Sequence, residues 1–198
     1  MKSTLLLRLF GITLLLCAAT AHAGADTPAT PALPGQSLYH LQADLTDQNG
    51  QALQWSALQG RPQLVSMFYA NCHLMCPLIL ENAKAVQKQL PVGDRAGLGV
   101  AMITLDPARD TPAVLDEVAH RHRLPDDWRL LLPATDDVRA LASVLDVRYR
   151  FREDGSINHT SVLVLLDAQG LELARSEVVG AAPDPVFLAR VRAALAAD

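Results

Sequence analysis

The chain has 198 residues, of which 50% are hydrophobic and 19% are charged, and its formal net charge is −4 at pH 7. A chain this rich in apolar side chains can bury a core, which excludes the disordered class. The acidic balance argues against nucleic-acid binding through a basic face, and three cysteines are too few for a disulfide scaffold. The length predicts one ordinary globular domain.

The first 23 residues have the pattern of a secretory signal peptide. Lys2 and Arg8 precede an apolar run from Leu9 to Ala19, and the small-x-small sequence at 21–23 is typical of a cleavage site. The run is shorter than the roughly 20 residues of a membrane-spanning helix. We therefore predict export to the periplasm with no stable membrane span after cleavage. A retained N-terminal membrane anchor is the alternative interpretation.

A linker and a short hairpin are predicted before the main fold. Residues 24–37 combine several prolines with small residues and show no periodicity, which is typical of a disordered linker. The domain is predicted to span 38–198. It begins with alternating apolar residues over 41–45, a type I′ turn at Asn49–Gly50 and a second strand over 52–55, which together predict a β-hairpin.

The remainder of the domain alternates strands and helices. The predicted elements are strand 64–70, helix 77–90, strand 99–105, a helix with Asp110 or Thr111 as N-cap and Pro112 at its first position, strand 130–132, helix 136–147, a hairpin of 161–166 with 171–178, and helix 185–196. This order predicts a thioredoxin-like α/β fold, in which right-handed βαβ crossovers build the parallel half of the sheet. A flavodoxin-like sheet would need another helix in place of the late hairpin.

Cys72 and Cys76 stand at the corner between the first buried strand and the helix that Pro77 is predicted to begin. Free backbone N–H groups and the positive end of the helix dipole favour thiolate over thiol at such a corner. Three intervening residues allow the sulfurs to meet if the loop forms one helical turn. The spacing therefore permits a dithiol, a disulfide or a metal chelate. A purely stabilising disulfide is the weaker interpretation, because so short a loop constrains the unfolded chain little.

A third ligand would separate metal binding from redox chemistry, and His159 is the best candidate. It precedes the strand 161–166, which in a thioredoxin-like sheet enters beside the N-terminus of the first helix. Two thiolates and one imidazole form a soft trigonal site that suits Cu(I) and can also take Cu(II), whereas zinc prefers a fourth ligand. His73 adjoins Cys72, but its ring is predicted to point away from the sulfurs. The less suitable histidines are His22, His40, His120 and His122.

Four segments resemble the Sco/SenC family, thioredoxin-like copper proteins of the periplasm and the mitochondrial intermembrane space that serve cytochrome c oxidase assembly. The segments are WSALQGRPQLV (55–65), VSMFYANCHLMCP (65–77), TLDPARDTPAVL (104–115) and YRFREDGSINHTSVLVLLDAQG (149–170). The CxxxCP motif, the downstream DPxxDTP pattern and the late histidine are specific in combination. Where the family usually has Pro or Asp inside the cysteine loop, this chain has His73, Leu74 and Met75.

The resemblance implies that Cys72, Cys76 and His159 bind copper and that the two cysteines also form a redox-active disulfide. It implies that Asp106 and Pro107 lie close to the site, although capping of the next turn is an alternative role for Asp106. The implied function is a periplasmic chaperone that delivers copper to an acceptor, such as a cytochrome c oxidase subunit with a Cu-A type site.

The alternative function is a thiol-disulfide oxidoreductase that reduces cysteines of an acceptor protein, with Cys72 and Cys76 as its catalytic residues. Such a protein would need a periplasmic thiol reductant as a second partner. A thiol peroxidase is a third and weaker interpretation, because the sequence around Cys72 lacks the features of a peroxide pocket.

Overall fold

The computed structural model describes residues 32–178 and 180–197. The predicted signal peptide, residues 1–23, and the predicted linker up to residue 31 lie outside this part of the chain. The last residues of that predicted linker belong to the folded domain. Ser37 is buried, its hydroxyl donates to the carbonyl of Gln169, and its side chain caps a short 3₁₀ helix at Leu38–His40. The domain therefore begins before residue 38, because these capping bonds tie the segment to the sheet.

Nine strands and four α-helices make up the described part of the chain. Their bounds are β1 Asp44–Asp47, β2 Ala52–Gln54, β3 Gln63–Phe68, α1 Met75–Lys88, β4 Gly99–Thr104, α2 Pro112–His122, β5 Trp128–Pro133, α3 Asp137–Val144, β6 Tyr149–Phe151, β7 Ile157–His159, β8 Val162–Leu166, β9 Glu172–Glu177 and α4 Pro185–Ala197. Among the residues described, no helix has both the length and the hydropathy required to span a bilayer.

Seven of the strands form one sheet in the order β2-β1-β5-β4-β3-β8-β9. The strands β3, β4 and β5 run parallel and are connected by α1 and α2, whereas β8 and β9 form an antiparallel hairpin on the other side of β3. This arrangement is the predicted thioredoxin-like fold. The N-terminal hairpin extends the same sheet, because β1 pairs antiparallel with β5.

The centre of the sheet is buried on both faces. Every residue of β3, β4 and β8 is buried, which explains why these strands read as continuous apolar runs rather than as alternating patterns. Because β8 is antiparallel to β3, the start of β8 lies at the end of β3, with Val65 paired to Val164. The loops after β3 and before β8 therefore emerge at the same edge of the sheet.

The predicted N-terminal hairpin is present, but its turn is not of type I′. That turn needs positive φ at both central residues, whereas Gly50 has φ 78° and Asn49 is not among the residues with positive φ. The carboxylate of Asp47 accepts hydrogen bonds from the backbone N–H groups of Asn49 and Gln51, which favours a longer turn with a left-handed glycine at its end. The second strand is also shorter than predicted, because Trp55 begins a 3₁₀ helix.

A second, separate hairpin between α3 and β8 was missed by the sequence pattern. Its strands β6 and β7 have three residues each and pair only with one another in the described part of the chain. Tyr149 pairs with His159, and Phe151 pairs with Ile157. This hairpin places His159 at the end of a β-strand, β7.

Replacement of Leu64 by Ala should strongly destabilise the domain. Leu64 is 0% exposed on the central strand β3, so the cavity left behind should lower the free energy of unfolding by about 2–5 kcal/mol. The same change at Leu173, which is 42% exposed on β9, should cost no more than about 0.5 kcal/mol. Urea unfolding followed by circular dichroism measures both values. Equal losses in the two variants would contradict a core centred on β3.

Candidate metal-binding site

The cysteine loop ends in a helix that begins earlier than predicted. Helix α1 begins at Met75, so Pro77 is its third residue rather than its first. Proline is tolerated there because the first four N–H groups of a helix have no acceptor within it. Cys76 consequently lies inside the first turn of α1.

The sulfur of Cys72 takes the place of an N-cap side chain. Leu74 stands at the N-cap position and has no side-chain acceptor. The backbone N–H of Cys76, which would otherwise be without a partner, donates to the Cys72 sulfur over 3.2 Å. The positive end of the α1 dipole therefore faces this sulfur, as the sequence predicts.

Cys72 and Cys76 are not joined by a disulfide, and they have opposite environments. Cys72 is half-buried, whereas Cys76 is 2% exposed. A hydrogen bond from the Cys76 thiol lowers the pKa of Cys72 to about 3 against the opposing effect of its partial burial, and the His159 side chain and the backbone N–H groups of Leu74 and Cys76 contribute further. Burial, reinforced by the neighbouring Cys72 sulfur, raises the pKa of Cys76 above its ordinary range. The thiolate of the pair therefore resides on Cys72.

His159 brings an imidazole to the buried sulfur. Its Nε2 atom lies 3.5 Å from Cys76 Sγ, and its Nδ1 atom lies 3.0 Å from the carbonyl oxygen of Thr160. A carbonyl can only accept, so Nδ1 carries a proton. In the neutral ring Nε2 then directs its lone pair towards Cys76 Sγ, which is the tautomer that binds a metal through Nε2.

Tyr69 packs against the histidine and contacts its strand. The two rings are 6.0 Å apart in an edge-to-face arrangement, and Tyr69, which directly follows β3, is buried. Burial raises the pKa of Tyr69, so the hydroxyl stays neutral at physiological pH. The end of β3 thereby holds β7 beside the cysteine loop.

Some of the predicted metal ligands lie next to one another in the structure, and others do not. His159 and Cys76 are in contact, and Cys72 shares a hydrogen bond with Cys76, as predicted. His73 is exposed, and the remaining histidines of the described chain, His40, His120 and His122, lie on other elements. No set of three or more His, Cys, Asp or Glu side chains in residues 32–178 and 180–197 is already arranged to hold a metal ion.

The loop after β4 supports the hairpin that carries the histidine. Asp106 is buried, and its carboxylate forms an ion pair with the Arg109 guanidinium. The same guanidinium donates from Nη2 to the carbonyl of Gly155 over 2.9 Å, in the turn between β6 and β7. Asp106 therefore acts on the site through Arg109, a residue that no sequence signal singled out.

Asp110 has a different role from the one predicted. Thr111 is the N-cap of α2, and its side chain accepts from the N–H of Val114. The Asp110 carboxylate instead accepts from the N–H of Ala70 over 2.9 Å and from the Thr104 hydroxyl over 2.5 Å. These bonds join the ends of β3 and β4 two residues before Cys72. Burial raises the pKa of Asp110.

This fold and site define a thioredoxin-like protein with two cysteines and one histidine at a strand-to-helix corner. The family model described as SCO1/SenC matches residues 34–187, and the chain belongs to that family. The matched region includes both cysteines, His159 and the Asp106 loop.

Individual relatives agree with this assignment. The "Putative copper-binding protein" of Stutzerimonas stutzeri is 29% identical over 133 residues, which cover 65% of this chain and 64% of that protein, less than two thirds of its length. The Bradyrhizobium japonicum ScoI structure with copper bound has a TM-score of 0.64 and 24% identity, covering 76% of this chain and 97% of that one. The structure of BsSco has a TM-score of 0.68 and 20% identity, covering 80% of this chain and 94% of that one. BsSco is described as having a disulfide switch and as a member of the Sco family of cytochrome c oxidase assembly proteins. The two structural likenesses show the shared fold.

Cys72 should be alkylated selectively and with little dependence on pH. Because its pKa is lowered to about 3, Cys72 is a thiolate at both pH 5 and pH 7, whereas Cys76 is buried and protonated. Iodoacetamide should therefore modify Cys72 at similar rates at the two pH values and leave Cys76 intact, as followed by peptide mass mapping. An unperturbed thiol would slow about tenfold for each pH unit below its pKa, and that result would contradict the assignment.

Replacement of Arg109 by Ala should loosen the β6–β7 hairpin. The variant loses a charge-assisted hydrogen bond to Gly155, which is worth about 1.5–3 kcal/mol. Amide hydrogen exchange of residues 156–159 should accelerate about tenfold or more. Arg152→Ala is the matched control, because within residues 32–178 and 180–197 the Arg152 side chain forms just one exposed ion pair, with Asp154 in the same hairpin. Similar exchange in both variants would mean that Arg109 does not hold the hairpin.

Proposed function

We propose that this protein binds a copper ion through Cys72, Cys76 and His159 and delivers it in the periplasm to a Cu-A type site of cytochrome c oxidase during assembly. The observation that carries the proposal is the 3.5 Å approach of His159 Nε2 to Cys76 Sγ, next to the thiolate of Cys72. Copper is the cargo in this function. The copper-bound ScoI relative and the assembly role stated for the BsSco family support it.

The donor atoms suit copper in type, and two of them already lie side by side. Cys76 Sγ and His159 Nε2 are 3.5 Å apart, so both side chains could contact one ion after a small movement. Two thiolates and an imidazole are the soft set that favours copper. The side chains must still close around the ion, since they are not prearranged as a cage.

The unequal environments of the sulfurs suggest a route for loading and release. Cys76 must lose its proton when it binds the ion, because metal ligation requires the thiolate. Cys72 is already a thiolate and is the more accessible sulfur. Copper can therefore bind first to Cys72, and an acceptor ligand can replace Cys72 while Cys76 and His159 still hold the ion. Transfer by such ligand exchange never frees the copper.

A second candidate function, thiol-disulfide exchange, is favoured by the same asymmetry. The Cys72 thiolate would attack a disulfide of the acceptor, forming a mixed disulfide and releasing one acceptor thiolate. Cys76 would then pass its proton to the acceptor thiolate released first, and its sulfur would attack Cys72, forming the intramolecular disulfide and releasing the second acceptor thiolate. Two electrons pass to the acceptor, and a thiol reductant must restore the dithiol. Copper need not take part in this chemistry.

Replacement of His159 by Ala should abolish stoichiometric copper retention by the reduced protein. Loss of one of three ligands should weaken Cu(I) binding more than about 100-fold, beyond the 10–100-fold typical of residues that only support a ligand. Anaerobic titration against a chromophoric Cu(I) chelator measures the affinity. His120→Ala is the matched control, because His120 is exposed at the end of α2 and should leave the affinity unchanged.

The same variant separates the two candidate functions. His159→Ala should still reduce a model disulfide such as 5,5′-dithiobis(2-nitrobenzoate), because the Cys72 thiolate and Cys76 remain. If wild-type dithiol protein retains no copper, or if His120→Ala is as damaging as His159→Ala, the copper site is refuted. Retained disulfide reduction would then leave thiol exchange as the function.

A further inference from the structure

Strand β6 has one edge without a partner strand. Thr160 N–H donates to the Arg148 carbonyl, and Arg152 N–H donates to the Ser156 carbonyl. In an antiparallel pair the bonded positions alternate with unbonded ones. The backbone groups of Tyr149 and Phe151 therefore point away from β7. Within the described residues β6 pairs only with β7, so this outer edge is open.

A groove runs along the open edge. It has a volume of about 600 Å³ and is lined by two elements. One wall is α3, through Arg139, Ala142 and Ser143, and the other is the continuous segment 147–151. Successive strand residues point to opposite faces, so a groove that touches all of them follows the edge of the strand rather than one face.

The residues along this edge alternate between cationic and aromatic side chains. Arg148 and Arg150 are exposed on one face, whereas Tyr149 and Phe151 share the other face with His159. Phe151 remains 55% exposed and packs edge-to-face on Tyr149 with ring centroids 6.0 Å apart.

The charges along the groove are available to a partner. Arg139, Arg148 and Arg150 form no ion pair within the part of the chain that the structure describes. The nearby acidic groups are Asp136 and Asp137 at the start of α3, Asp146 in the turn before the strand, and Glu153 and Asp154 at the hairpin tip, where Asp154 pairs with Arg152. A chain of net charge −4 thus places three uncompensated arginines beside an open strand edge.

We propose that β6 accepts an extended acidic segment of the copper acceptor as an additional strand. The segment would pair with the outward backbone groups of Tyr149 and Phe151 and place carboxylates against Arg148 and Arg150. Two strand spacings of about 4.8 Å would bring its backbone within about 10 Å of the His159 backbone. The identity of the partner as the acceptor rests on the proposed function, whereas the strand addition itself does not.

Arginines on an edge strand can also serve only to prevent self-association. If this were their only role, the arginines would repel a second copy of the chain. They would attract an acidic strand only through general electrostatic attraction, without backbone pairing to β6. The two roles therefore differ in whether the amides of Tyr149 and Phe151 become protected when an acidic strand is added.

A capped eight-residue peptide of alternating Thr and Glu tests the proposal on copper-free protein. Saturating peptide should slow amide hydrogen exchange at Tyr149 and Phe151 about tenfold or more, as measured by NMR. Phe151→Pro should weaken binding about tenfold or more, because it removes an outward N–H without breaking the β6–β7 ladder. Phe151→Ala retains that N–H and should keep the protection at these two positions.

Charge variants complete the experiment. Arg148→Glu combined with Arg150→Glu should lower the peptide affinity about tenfold or more, whereas Arg190→Glu on α4 should change it less than about twofold. A Thr–Lys peptide that binds equally well, an absence of protection, or protection that grows with protein concentration without peptide would each overturn the proposal. The copper affinity of the double variant, measured by titration, should equal that of the wild type. A failure of the copper site is therefore distinguishable from a failure of the docking edge.

Discussion

The contact between the Cys76 sulfur and the His159 ring, residues 83 positions apart in the chain, is the interaction on which the rest of the site depends. It exists because β8 runs antiparallel to β3, which brings the segment before β8 to the end of β3. The helix that follows β3 carries the cysteine, and the strand that precedes β8 carries the histidine. The buried pairing of two central strands thus determines the position of both donors.

The same corner makes two chemically similar cysteines behave differently. The Cys72 sulfur accepts the N–H of Cys76 at the start of α1 and remains half-buried, while Cys76 is enclosed by the core. The Cys76 thiol, together with the backbone N–H groups at the start of α1, therefore stabilises the Cys72 thiolate, and burial keeps the Cys76 sulfur protonated. A metal ion and a disulfide both make use of this difference, which is why copper delivery and thiol exchange are the two candidate functions of one pair of residues.

The elements around the site are connected by polar contacts that cross between loops. Asp110 joins the ends of β3 and β4, and Asp106 acts through Arg109 on the turn of the β6–β7 hairpin. The hairpin in turn carries His159 on one strand and the open, arginine-rich edge on the other. In the proposed mechanism, partner docking and metal binding therefore meet on a single small element that the Asp106 loop holds in place.

Local patterns in the sequence determined much of this protein: the buried strands, the helix begun by Thr111 and Pro112, and the paired cysteines at a strand-to-helix corner. His159 was predictable because the strand order alone places it at that corner. The β6–β7 hairpin was not, because strands of three residues are too short for a clear alternation. Only the tertiary structure decided that Arg109 reaches Gly155, 46 positions away, and that Asp110 turns from the helix to Ala70. Such bonds depend on which loops the sheet brings together, and no local pattern in the sequence predicts a contact between residues so far apart in the chain.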